Sequence, residues 1–127
     1  MSASRASHAA PRKLRVLLVE DELLVAMMLE DMLDQLGHAV AASVPTLNAA
    51  LAAISEGGFD CAILDLNLTT DTSLPAAEAL QARGIPFAFA SGYGALDFGD
   101  RFGEVPALPK PYAVADVAQL LERLANG

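Results

Sequence analysis

The apolar pattern of the chain begins with a continuous run, Leu14 to Val19, of the kind buried on both faces of a parallel sheet. The rhythm then changes. Val25, Met28, Leu29, Met32, Leu33 and Leu36 recur at three- and four-residue steps, which predicts a helix over Leu24–Leu36 with Gly37 as its C-terminal cap. Met27, Met28 and Met32 are expected to pack on the core and along the face of that helix. A weaker strand follows over Ala39–Val44, and Thr46 can cap a second helix through Leu47, Leu51 and Ile54 to Glu56, broken by Gly57-Gly58. Cys61–Leu66 reads as the third strand, Leu68–Pro75 as polar connection and Ala76–Arg83 as a short helix stopped by Gly84. Pro86–Ala90 is a fourth strand opened by proline. Gly92 to Glu104 holds four glycines and few helix formers, so a helix there should be short. A last strand ends at Leu108-Pro109, and Val114–Leu124 carries a clear helical stripe. Strands alternating with helices at this spacing predict an α/β fold, an open doubly wound parallel sheet whose ligands gather at the carboxyl ends of the strands.

Size and composition narrow the picture. A chain of 127 residues fits one domain, since typical domains hold about 100–150 residues. The hydrophobic share of 54% and a mean hydropathy of +0.38 exclude an extended disordered protein. No apolar run approaches the roughly 18 residues of a membrane span. A net charge of -8 disfavours a nucleic-acid backbone and favours metal cations or basic protein surfaces. The lone cysteine, Cys61, reads as a small buried hydrophobe, which fits a reducing, cytoplasmic setting. Met1 to Lys13 is rich in Ser and Ala but lacks the apolar core of a secretory signal, so residues 1–13 are expected to be a disordered tail before a domain spanning 14–127.

The polar residues at strand ends carry the chemistry. Glu20 and Asp21 close the first run, Asp65 closes Cys61-Ala62-Ile63-Leu64, Ser91 follows Ala90, and Lys110 follows Pro109. Glu20, Asp21 and Asp65 in one crevice would repel one another, and a divalent cation is the natural remedy. Hard oxygen ligands completed by water suit Mg²⁺, or Mn²⁺. The histidines, His8 and His38, lie far from this cluster in sequence and are expected at the surface, so zinc is unsupported. A carboxylate beside such a cation can act as a nucleophile toward phosphorus, with Asp65 the candidate, Lys110 a countercharge and Ser91 a hydroxyl donor to a phosphate oxygen.

The run Val16-Leu17-Leu18-Val19-Glu20-Asp21-Glu22, the segment Leu64-Asp65-Leu66-Asn67-Leu68, Ser91 and Lys110-Pro111 together resemble a response regulator receiver domain, from about Leu14 to the C-terminus. The resemblance implies the flavodoxin-like (βα)5 fold. It implies Asp65 as phospho-acceptor, Asp21 as direct metal ligand, Glu20 as an acid acting largely through water and the Asn67 carbonyl as a further ligand. It implies Ser91 as switch hydroxyl, Lys110 as the phosphoryl-binding lysine, and Asn67 and Tyr93 at positions that tune hydrolysis. Phe87-Ala88-Phe89-Ala90-Ser91-Gly92-Tyr93-Gly94 resembles the signature of the FAT GUY subfamily, with Ser91 in place of its usual threonine. The usual aromatic switch position is Ala107, so readout is expected through Ser91, Tyr93 and the glycine-rich segment. The resemblance implies a histidine kinase as partner, of the HWE or a related type. No effector domain is expected after Gly127, so output is expected as contact with a downstream protein, a phosphorelay step or competition for kinase phosphoryl groups, with the last helix and Gly92–Glu104 as the contact face, and the chain as a signalling domain with slow self-dephosphorylation. Asp65-Leu66-Asn67-Leu68-Thr69 also resembles the aspartyl nucleophile motif of the haloacid dehalogenase phosphatases, but those carry the nucleophile on the first strand, whereas here Glu20-Asp21 come first. A phosphorylation-independent pseudo-receiver is the third reading, and the complete acidic cluster argues against it.

Overall fold

The computed structural model describes residues 13–66, 68, 72–91, 102 and 105–126, Ser91 through its backbone only. Apart from Lys13, the expected tail lies outside these residues, as do Asn67, Tyr93 and most of Gly92–Glu104, where the short helix was expected. The elements run β1 (Arg15–Val19), α1 (Leu23–Gln35), β2 (Ala39–Val44), α2 (Leu47–Glu56), β3 (Cys61–Asp65), α3 (Leu74–Ala82), β4 (Phe87–Ser91), β5 (Ala107–Pro109) and α4 (Val114–Asn126).

All strand pairs are parallel, in the order β2-β1-β3-β4-β5. The chain steps outward from β1 to β2, then crosses back to the other side of β1 to lay down β3, so the switch point lies between β1 and β3. Alternate residues of the central strands face opposite layers. Val16, Leu18, Cys61, Ile63, Ala88 and Ala90 pack with Leu29 and Leu33 of α1 and with Val117, Leu121 and Leu124 of α4. Leu17, Val19, Ala62, Leu64, Phe87 and Phe89 pack with Ala50 and Ile54 of α2 and with Ala76, Ala77 and Leu80 of α3. The Phe-Ala-Phe-Ala run is thereby split: its alanines lie against the first layer, while Phe87, Phe89 and Phe102 meet edge to face with centroids 5.7 to 6.1 Å apart in the second.

Local signals set most boundaries. Gly37, at φ 86°, ends α1, with the His38 amide bonded back to the Leu33 carbonyl at 2.9 Å and the Gly37 amide to Asp34 at 3.0 Å. Gly84 ends α3 in the same way, and the Thr46 hydroxyl accepts the Ala49 amide at 3.1 Å to start α2. The third helix starts at Leu74 rather than Ala76. Pro75 belongs to its first turn, where no amide hydrogen is required, so the polar connection is shorter than expected.

Two expectations fail. Met32 flanks the buried face of α1, but Met27 and Met28 are 52% and 49% exposed, and Leu23 and Leu24 are more so. The covered stripe centres on Ala26, Leu29 and Leu33, and at about 100° per residue Leu24, Met27 and Met28 fall on the opposite side, with Leu23 at its flank in the first turn. His38 is not a freely exposed histidine: it is half-buried, and its Nδ1 accepts the Leu14 amide at 3.0 Å.

Candidate functional site

The sheet register assembles the site before any side chain is considered. Val19 pairs with Leu64, so Glu20 leaves β1 beside Asp65 at the end of β3, and Asp65 pairs with Ala90. Ser91 pairs with Pro109, which places Lys110 one step beyond, over the same carboxyl edge. The backbone of Ser91 belongs to this edge; Asn67 and Tyr93 lie outside the described residues. Ala107 pairs with Phe89 and faces outward at the start of the edge strand. There the wall between β5 and α4, including Pro109, Gln119 and Leu120, borders a cleft of about 190 Å³.

Glu20, Asp21 and Asp65 each bring a carboxylate oxygen within 4.8 Å of the others. Glu20 and Asp65 are 6% and 8% exposed. The Lys110 ammonium stands between them, 3.4 Å from Glu20 Oε1 and 3.5 Å from Asp65 Oδ2. The Glu22 amide donates to Glu20 Oε2 at 3.1 Å, so Glu20 also orders the entrance to α1, whose N-cap residue offers no side-chain bond of its own.

Burial raises the Glu20 carboxyl to about 7, with the Asp65 charge adding to the rise while the Glu22 amide and Lys110 oppose it. This is the electrostatic mark of a buried carboxyl with a second acid beside it and Lys110 as a nearby cation. Hard carboxylate oxygens at this spacing fit a small divalent ion, which would relieve the repulsion. Among the described residues this is the one group of three such side chains close enough to hold a metal.

Two contributors had escaped sequence reasoning. Ser73, fully buried, donates both its hydroxyl and its amide to the Leu66 carbonyl, at 3.3 and 3.0 Å, and so ties the start of α3 to the chain leaving Asp65. Tyr112 is 8% exposed and packs beneath Lys110, and its phenol is pushed up by burial and by the Glu20, Asp65 and Glu22 charges. Neither is marked by a period: Tyr112 is a single aromatic after Pro111, and Ser73 lies in a polar connection.

A family model described as the response regulator receiver domain matches residues 16–122. The chain belongs to that family. Among solved structures this receiver is similar to SdrG from Sphingomonas melonis Fr1, 46% identical, with a TM-score of 0.78 over 89% of this chain and 97% of that one. The BeF3-activated conformation of SdrG from Pseudomonas melonis Fr1 is likewise 46% identical, with a TM-score of 0.74 over 87% and 94%. The PhyR receiver domain of Erythrobacter litoralis is 26% identical, with a TM-score of 0.79 over 90% and 91%. No curated protein matches the chain. No described helix is long and apolar enough to cross a membrane.

Proposed function

We propose that the protein is a stand-alone receiver of a two-component phosphorelay, comprising residues 14–127 after a short tail over 1–13, that accepts a phosphoryl group on Asp65 from a histidine kinase. The observation that carries this reading is the meeting of Asp65, two further acids and Lys110 at one switch point, with Lys110 Nζ 3.5 Å from Asp65 Oδ2. An Asp65 oxygen attacks phosphorus, the new P–O bond forms as the P–N bond of the kinase phosphohistidine breaks, and the imidazole nitrogen keeps the electron pair. Lys110 balances the charge gathering on the phosphoryl oxygens, a role that its 3.5 Å approach to Asp65 Oδ2 supports. Glu20, Asp21, Asp65 and the Asn67 carbonyl would hold Mg²⁺. When bound, Mg²⁺ supplies the positive charge that lets an anionic phosphoryl group enter an anionic pocket.

Ser91 then offers a hydroxyl to the phosphoryl group, and Asn67 and Tyr93 set how slowly water removes it. With Ala107 where an aromatic switch would stand, the Ser91-Gly92-Tyr93-Gly94 run supports a place in the FAT GUY subfamily and a kinase of the HWE type. The match to SdrG over 97% of that chain supports function as a lone receiver; a cytoplasmic setting and output by contact with a downstream protein follow from the receiver reading itself. The exposed Leu23, Leu24, Met27 and Met28, beside the acidic cluster, supply an apolar surface for the kinase.

The test is incubation with acetyl phosphate and Mg²⁺, read on Phos-tag gels. A shifted band is expected for the wild type and none for Asp65→Asn. Rapid multiple turnover of a generic phosphomonoester would instead mark an aspartyl phosphatase.

A further inference from the structure

Tyr112 belongs to the apolar layer between the sheet, α1 and α4, yet it lies two residues past Lys110 and its ring lies under that ammonium. The Lys110 ammonium is 6.0 Å from the ring centroid, within reach of a cation–π contact. The same ammonium is shared by Glu20 and Asp65 at 3.4 and 3.5 Å. A lysine side chain is long and flexible, and it loses considerable rotamer entropy when one geometry is fixed. Lys110 is also 22% exposed along its side chain, so water competes for the ammonium on the open side. The ring supplies a further wall beneath it. A phenol at this place stays protonated, because burial and three nearby carboxylates disfavour the phenolate, so the wall adds no negative charge to a crowded acidic pocket.

We propose that Tyr112 is a positioning residue for Lys110, its ring holding the ammonium between Glu20 and Asp65 so that a phosphoryl group arriving on Asp65 meets a lysine already in place. This rests on the acceptor reading of Asp65. It assigns the effect to the aromatic face and none of it to the hydroxyl. Phenylalanine should therefore replace Tyr112, and leucine, equally apolar but without a π face, should not.

Two measurements on Tyr112→Phe, Tyr112→Leu, Lys110→Ala and the Lys110→Ala/Tyr112→Leu pair decide it. The first is the proton shift of the Lys110 ε-methylene in the ligand-free protein. An upfield ring-current displacement is expected in the wild type and in Tyr112→Phe, and its loss in Tyr112→Leu. A wild-type methylene at unshifted values overturns the proposal whether or not any variant folds. The second is beryllofluoride affinity in the presence of Mg²⁺. Tyr112→Phe should match the wild type, Tyr112→Leu should bind about three- to tenfold more weakly, and that difference should vanish once Lys110 is alanine. An equal loss with and without Lys110 would show that the ring acts by packing alone, against the proposal. If even the wild type takes no beryllofluoride, the acceptor reading fails, while the ring-current shift still decides where Tyr112 holds Lys110.

Discussion

His38 shows how one side chain can join two elements. Its amide closes the end of α1 on the Leu33 carbonyl at 2.9 Å, and its Nδ1 accepts the amide of Leu14, which is 1% exposed, at 3.0 Å. Burial lowers its pKa, so the folded protein favours the neutral ring that can accept this bond. The sign follows. The unfolded chain takes up the proton first, so the stabilisation is fully present above the ordinary histidine pKa of 6.5 and is lost as pH falls through 6.5 toward the lower folded value. His38→Ala should cost about 1–3 kcal/mol near neutral pH, because the buried Leu14 amide loses its acceptor. In urea unfolding, the gap between wild type and variant should narrow at about pH 5 relative to about pH 7.5. A gap that stayed constant would show that the bond is not proton-sensitive.

At the scale of the element, α1 holds both the most legible and the least legible feature of the sequence. Its existence, its register and its glycine stop were readable, because Leu29, Leu33 and Leu36 keep helical spacing and Gly37 supplies the positive φ that a Schellman ending needs. What periodicity could not show is which apolar residues are covered: Met28 stands four residues before Met32, yet it turns away from the buried arc of Ala26, Leu29 and Leu33. The position of Asp65 was legible for the opposite reason, since an unbroken apolar run closed by a carboxylate marks a strand buried on both faces with its acid at the carboxyl end. Tyr112 was not, because one aromatic after a proline looks like any core residue until the fold sets a lysine above it. A helix with apolar residues on its outer face calls for a partner. Met28→Glu, at a position 49% exposed, should leave the fold and the reaction with acetyl phosphate unchanged while slowing phosphotransfer from the cognate kinase about tenfold. Equal rates from the kinase for both proteins would remove this face from the docking surface.

For the molecule as a whole, the acidic pocket couples charge, metal and stability. The chain already carries a net charge of -8, and the fold concentrates three carboxylates at one edge. Glu20, raised to about 7 from 4.5, holds its proton to higher pH folded than unfolded. In the metal-free protein its contribution is therefore greatest below 4.5 and is lost as pH rises from 4.5 through 7. A divalent cation reverses the balance, because binding favours the ionised carboxylate and expels that proton. Millimolar Mg²⁺ should raise the melting temperature, with a gain small near pH 5.5, growing toward about pH 7 as the apparent affinity rises up to roughly tenfold per unit, and level above it. Asp65→Asn should raise the metal-free midpoint, since it removes one of the charges that Glu20 opposes. Glu20→Gln should flatten the pH dependence of the Mg²⁺ gain, because the group that exchanges its proton is gone. Melting curves across a Mg²⁺ series at three pH values, for wild type and Glu20→Gln, would expose the coupling; a wild-type gain that did not change with pH would mean that the cation does not compete with the Glu20 proton.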